Sequence, residues 1–237
     1  MKKFFIVVGL PRSGTTAIRT ALDQHSNISC LHEAFNEGLY NKGNPWSLRD
    51  IPDIFDQVEA QESEVVGLHQ NYDLPRLKYR WLVWSELKER VTHTILIKRP
   101  NKLDQFLSAY FAGNFNHWHN WVDGSFNVDK KELPKAVKIP LGSFKKYLKK
   151  SKSMESKMLK EIKGFKSSTV VNYEDFVSRP GAELRRLQEY LDVPFERIIP
   201  QTKKFARSTE IINLDELKSF YSEFNQQGIH PDGFCGE

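Results

Sequence analysis

The chain has little of what staples a small extracellular domain together. Its 237 residues include two cysteines, Cys30 and Cys235, too few for a disulfide framework. The two can pair with each other, but in a reducing compartment free thiols are expected. No Cys/His set has the spacing of zinc ligands, so no metal is expected. No apolar run approaches the roughly twenty residues of a membrane-spanning helix. Met1-Lys2-Lys3 followed by apolar Phe4 to Leu10 superficially copies a secretory leader. The run leads straight into Pro11-Arg12-Ser13-Gly14 with no small-residue cleavage site, so it is read as a first strand. The expectation is a soluble, cytoplasmic chain. Internal repeats and a convincing interdomain linker are also lacking. The length is ample for a core without staples, and a single domain over 1–237 is expected. The formal net charge of +5 agrees with an anionic ligand but does not identify one.

What the sequence does have is Gly9-Leu10-Pro11-Arg12-Ser13-Gly14-Thr15-Thr16. The run Phe4 to Val8 before it reads as a buried strand. Ala17 to Gln24 after it is apolar at helical spacing. A glycine-spaced loop between a strand and a helix N-terminus is the setting of a phosphate-binding loop. Its backbone N–H groups face an anion at the positive end of the helix. Thr15 stands where the nucleoside-triphosphate signature has the lysine that reaches the β- and γ-phosphates. Arg12 is the cation inside the loop, and its planar fork suits an oxyanion group. The loop therefore reads as a site for a phosphate ester or mixed anhydride. The bland alternative is a tight turn without a ligand.

Strand and helix patterns alternate along the rest of the chain. They predict an α/β fold of P-loop type, three layers with a central parallel sheet flanked by helices. Strands are expected at Ile28–Leu31, Glu64–His69, Thr92–Lys98 and Ser168–Asn172. Helices are expected at Ile54–Ala60, Pro75–Arg90, Lys102–Phe111, Ser143–Lys163, Pro180–Leu191 and Leu214–Phe224. Leu77, Trp81, Trp84 and Leu87 are assigned to the core face of the second of these helices. Residues 36–52 and 114–140 read as irregular. The lysine-dense segment 145–166 reads by default as a solvated helix face, with an anionic glycan or membrane surface as the sharper option.

Three segments carry a family resemblance. PRSGTT after an apolar strand resembles the 5′-phosphosulfate loop of sulfotransferases that use 3′-phosphoadenosine 5′-phosphosulfate (PAPS). The likeness continues through Leu22-Asp23-Gln24-His25-Ser26-Asn27-Ile28-Ser29-Cys30-Leu31-His32-Glu33, a stretch similar to one in tyrosylprotein sulfotransferases. Bacterial glycan and glycolipid sulfotransferases share a looser version. Ile95-Leu96-Ile97-Lys98-Arg99-Pro100 and the helix after it resemble the family's 3′-phosphate motif. Val170-Val171-Asn172-Tyr173-Glu174-Asp175-Phe176, followed by Arg179-Pro180, resembles its YEDL segment.

The resemblance implies PAPS as donor, PAP as product and no metal. It implies that Pro11, Arg12, Ser13, Gly14, Thr15 and Thr16 hold the 5′-phosphosulfate, and that Arg99 and Ser108 hold the 3′-phosphate. Arg99 and Ser108 are nine positions apart, against the family's usual eight, so Arg99 sits differently or Lys98 shares its task. Glu33 matches the catalytic base of the tyrosylprotein enzymes. It is placed at the end of a strand expected beside the phosphate loop. His32 is the alternative base, but strand alternation points it the other way. The family's lysine near the end of the next strand is replaced by His69, whose imidazole can donate to sulfuryl oxygens; Lys98 is the alternative. Arg12 completes the catalytic set. Residues 200–237 are expected to form a loop and helix over the nucleotide, with Lys204 or Arg207 touching a phosphate. His117, Trp118 and Trp121 suit an acceptor wall against a sugar face or phenol ring.

The function this implies is sulfuryl transfer to a hydroxyl, with a carbohydrate or glycolipid preferred over tyrosine or a small alcohol. Nucleic acid is not an expected partner. Two alternatives stand beside it: a P-loop kinase of a small metabolite, and a non-catalytic nucleotide- or glycan-binding module. The kinase lacks the loop lysine, and Lys98 stands where its magnesium carboxylate would be.

Overall fold

The computed structural model describes residues 2–35, 50–73, 80–115, 132–200 and 209–226. Its elements are β1 (Lys3–Gly9), α1 (Thr15–Leu22), β2 (Ile28–His32), α2 (Asp50–Glu59), β3 (Val65–Asn71), α3 (Arg80–Arg90), β4 (His93–Lys98), α4 (Lys102–Phe115), β5 (Ala136–Val137), α5 (Leu141–Ile162), β6 (Ser168–Asn172), α6 (Tyr173–Ser178), α7 (Pro180–Tyr190), β7 (Glu210–Ile211) and α8 (Leu214–Gln226). The chain divides into two compact units, Met1–Pro100 with Lys157–Thr202, and Asn101–Ser156 with Lys203–Glu237.

The first unit holds a five-stranded parallel sheet in the order β2-β3-β1-β4-β6. β1 lies at its centre, and Phe5, Ile6, Val7 and Val8 have no exposed surface. Such a strand is covered on both faces, which is why it reads as a continuous apolar run and not as an alternation. One core joins Phe5, Val7, Ile95, Ile97 and Val171 of the sheet to Ile18 and Leu22 of α1, with Leu184 and Leu187 of α7 and Leu191 just after it. The leucines of α7 fall three and four apart, the spacing of one helix face. Pro180 opens that helix, where a missing N–H costs nothing.

The end of α1 is tied to β2 by two bonds to one residue. Arg19 Nε donates to the Cys30 carbonyl at 2.8 Å, and the Cys30 amide donates to Asp23 at 2.7 Å. Burial pushes the Cys30 thiol well above its usual range, and the nearby Arg19 charge offsets only part of that.

The second unit packs α4, α5 and α8 around Leu103, Phe106, Phe111, Phe144, Leu148 and Leu217. β5 and β7 form a short parallel pair within it. Phe106 stacks on Phe144 with ring centroids 4.9 Å apart. The Lys102 ammonium pairs with Glu155 at 2.7 Å. Lys145, Lys146 and Lys149 of α5 are exposed, as a solvated face requires.

Several boundaries differ from expectation, each for a physical reason. α2 starts at Asp50, inside the segment read as irregular; Pro52 falls in its first turn, where proline is tolerated. In α3 the core face is Val83, Trp84 and Leu87. Trp81 is 71% exposed, against the expectation that placed it inward. Trp84 packs on Tyr72 and Phe165, and Trp81, three residues before it, stays outside. Leu77 lies outside the described residues. Among the described residues no helix is long and apolar enough to cross a membrane.

A close backbone approach in the sheet is at Gly67, where β3 passes β1. An added Cβ would sit 2.4 Å from the Phe5 carbonyl oxygen and 2.5 Å from the Phe5 ring. Backbone cannot yield there as a flexible side chain can. Gly67→Ala is therefore expected to destabilise the fold by about 1–3 kcal/mol or more, read as a lower urea midpoint at unchanged m-value.

Candidate active site

All five strands of the first unit are parallel, so their C-terminal ends share one edge. That edge is where ligands bind in open α/β sheets. The end of β1 delivers the Gly9–Thr16 loop. Two of its residues are left-handed, Arg12 at φ 65° and Gly14 at φ 98°. The Ser13 amide closes the turn onto the Leu10 carbonyl at 3.1 Å. Gly14 caps α1 without any side-chain cap bond, so the first amides of the helix are available to an anion.

Gly9 is needed for a different reason. A Cβ there would lie 2.4 Å from Ser13 Oγ and 2.9 Å from the Ile97 carbonyl. Ser13 is tucked into that space, 1% exposed, and its hydroxyl makes no hydrogen bond among the described residues. A buried hydroxyl of that kind is costly unless a ligand completes it. Thr15 is buried, and Pro11, Arg12 and Thr16 are half-buried. The residues present thus fit a phosphate-type oxyanion.

The end of β6 closes over this loop. Tyr173 lies against Gly14 so closely that an added Cβ would be 2.1 Å from its ring. The Arg99 guanidinium sits 4.6 Å over the same ring and donates to the Arg12 carbonyl at 3.0 Å. Glu174 approaches the Arg99 Nε at 3.9 Å. Arg99 is thereby bound to the Gly9–Thr16 loop, using one of five N–H donors. Ser108, its expected partner, lies half-buried on α4 of the second unit.

The strand beside β1 is β3, not β2; β2 is at the edge of the sheet. Glu33 nevertheless reaches the cluster at the strand ends, through a clamp that the sequence did not reveal. Three consecutive residues of β3 hold the turn after β2. His69 meets His32, Nδ1 to Nδ1 at 3.2 Å. Gln70 accepts the Phe35 amide at 3.0 Å. Asn71 donates from its carboxamide to the Glu33 carboxylate. Asn71 is also the register partner of Gly9, and the next amide, Tyr72, donates to the Gly9 carbonyl at 2.8 Å. Asn71 therefore stands between the first glycine of the loop and the expected base.

The expected orientation of His32 is corrected here. Alternation does send successive strand residues to opposite faces, but β2 ends at His32. His32 and His69 are register partners in adjacent parallel strands, so their rings share a face. Glu33 is left-handed, φ 38°, which breaks the alternation and brings its carboxylate to the same side. One ligand atom each from His32, Glu33 and His69 lie within 4.8 Å of one another. Glu33 is 5% exposed and His69 not at all. A left-handed non-glycine costs of order 1–3 kcal/mol and persists only where its surroundings hold it.

Lys98 ends β4, on the far side of β1 from His69. Its register partner is Asn172. His117, Trp118, Trp121, Lys204, Arg207 and Cys235 lie outside the described residues. The overlooked residues are Gln70, Asn71 and Tyr173. Two amides directly after a strand-end histidine were the available signal for the first two.

The contact between Gly14 and Tyr173 makes a test. Gly14→Ala should destabilise through the ring clash and through its positive φ. Tyr173→Ala in the same chain should recover the clash component, leaving about 1 kcal/mol of backbone strain. Urea denaturation of the two single variants and the double variant separates these terms.

Comparison with known proteins agrees with this geometry. Residues 5–117 match the model of a family described as the sulfotransferase family. A sulfotransferase from Alicyclobacillus acidocaldarius has a similar structure, with a TM-score of 0.59 at 15% identity, covering 98% of this chain and 94% of that one. The sulfotransferase domain from the curacin biosynthetic pathway has a TM-score of 0.50 at 16% identity, covering 91% and 86%. No curated protein sequence matches the chain. Residues 5–117, from β1 past the end of α4, are thus similar to the sulfotransferase family, and the fold is like that of these sulfotransferase structures.

Proposed function

We propose that the protein transfers the sulfuryl group of PAPS to a hydroxyl of a carbohydrate or glycolipid, with Glu33 as general base. The observation that carries this reading is the Asn71 bridge, which joins the Glu33 carboxylate to the strand end where the oxyanion loop begins. A base must lie within hydrogen-bond reach of the proton it takes, next to the transferring group. Sulfuryl transfer asks for positioning and charge stabilisation above all.

In this reading the loop from Pro11 to Thr16 holds the 5′-phosphosulfate. The α1 amides, the Ser13 hydroxyl and the Arg12 side chain supply donors. Arg99 and Ser108 hold the 3′-phosphate, with Lys204 or Arg207 added from the C-terminal segment. Glu33 takes the acceptor's proton as its oxygen bonds to sulfur and the bond from sulfur to the departing PAP phosphate oxygen breaks. Asn71 positions the carboxylate, and His69 donates to the sulfuryl oxygens. His117, Trp118 and Trp121 form the acceptor wall. The setting is a single cytoplasmic domain.

Calorimetry with PAP, in the presence and absence of magnesium-ATP, tests the donor. Tight PAP binding that Arg12→Ala abolishes and ATP does not displace is the expected result. A folded protein that ignores PAP overturns the reading, and preference for magnesium-ATP would replace it with a kinase. With an acceptor in hand, Glu33→Gln should lower kcat by about 10²–10⁴-fold at unchanged PAP affinity. Trp118→Ala should raise the acceptor KM and leave PAP affinity intact; loss of both would give Trp118 a folding role instead.

A further inference from the structure

We infer that His32, His69 and Glu33 form a binding site for one divalent transition-metal ion of the zinc class. Two imidazoles and a carboxylate are among the ligand sets that zinc takes. They come from two strands, so no short spacing in the sequence announces them.

The geometry is close to what an ion requires. Two imidazole nitrogens bound at the usual zinc distance in a tetrahedral site are about 3.3 Å apart. The Nδ1 atoms of His32 and His69 are 3.2 Å apart. All three ligand atoms lie within 4.8 Å, and a small swing of the Glu33 carboxylate closes the set. Three protein ligands leave a fourth position for water, the pattern of an open site. His32 is half-buried while His69 and Glu33 are buried, so the approach is from the His32 side.

The ligands are held in place by groups other than a metal. Register pairing of β2 with β3 aligns the two histidines. Glu33 is fixed by its left-handed backbone and by the Asn71 carboxamide, a bond of the kind that orients ligating carboxylates in metal sites. In the absence of metal the close Nδ1 contact takes one N–H between the rings; an ion takes the place of that proton. A bound ion also engages the Glu33 carboxylate. If Glu33 is the base proposed above, metal binding and turnover exclude each other. That consequence rests on the proposed function, whereas the site itself does not.

The test is a Co²⁺ titration of the untagged, chelator-stripped full-length protein, followed by visible d–d absorption. One saturable equivalent that Zn²⁺ displaces is expected. His32→Ala should weaken Co²⁺ binding at least ~10-fold, and Asn71→Ala by about 10–100-fold through loss of the supporting bond. Circular dichroism and thermal melting confirm that both variants are folded. No saturable Co²⁺ binding by the wild type, or equal binding by a folded His32→Ala, overturns the site. Zn²⁺ inhibition of sulfuryl transfer, relieved by chelator, supports both site and base. Stoichiometric metal binding with undiminished turnover keeps the site and removes Glu33 from the role of base. PAP binding, measured separately, reports on the donor reading whatever the metal does.

Discussion

The site depends on the parallel pairing of β1 with β3 on one side and β4 on the other. Gly9 is the register partner of Asn71 and of Ile97, so three strands end together. A slip of one residue in a strand turns its whole side-chain set to the other face. In β3 that slip would remove His69, Gln70 and Asn71 from the turn after β2 and release Glu33. Gly67 helps to enforce this register, because only a hydrogen fits against the Phe5 backbone. The apolar burial of β1 is therefore more than core stability; it sets which polar groups meet at the sheet edge.

A second constraint couples the loop to the strands on its other side. Tyr173 packs on Gly14, Arg99 packs on Tyr173, and Arg99 returns to the Arg12 carbonyl. A cation over an aromatic face contributes about 0.5–2 kcal/mol depending on desolvation. Arg99 is 14% exposed in its side chain, which puts it toward the buried end of that range. Arg99 thereby supports the anion loop directly, whatever its other donors bind.

The sheet was legible from the sequence because buried parallel strands are near-continuous apolar runs. The loop was legible because its glycines lie between a strand and a helix. Glu33 was singled out through resemblance alone. What joins these parts was not. Which face His32 shows depends on its partner in β3, and register across two strands is not a property of either one. The left-handed turn at Glu33 has no local mark, since glutamate is not a residue that advertises positive φ. Tyr173 reads as part of a motif, but its packing on Gly14 is a contact across more than 150 positions. Trp81 was misassigned because a helix rich in large residues offers more than one apolar face, and only tertiary packing selects between them.

Burial at the end of β3 suits an imidazole better than an ammonium. His69 has no exposed surface. An ammonium at that depth would need a hydrogen-bonded counter-charge to offset its desolvation. Glu33 is the nearby carboxylate. An imidazole can donate one hydrogen bond while neutral. His32 partners one ring nitrogen of His69, and Asn71 steadies Glu33 with an amide donor. The imidazole pair and the Asn71 amide thus hold their places at the strand ends beside the Glu33 carboxylate. Two imidazole nitrogens beside a carboxylate are also what a zinc-class ion selects, which is the basis of the metal site inferred above.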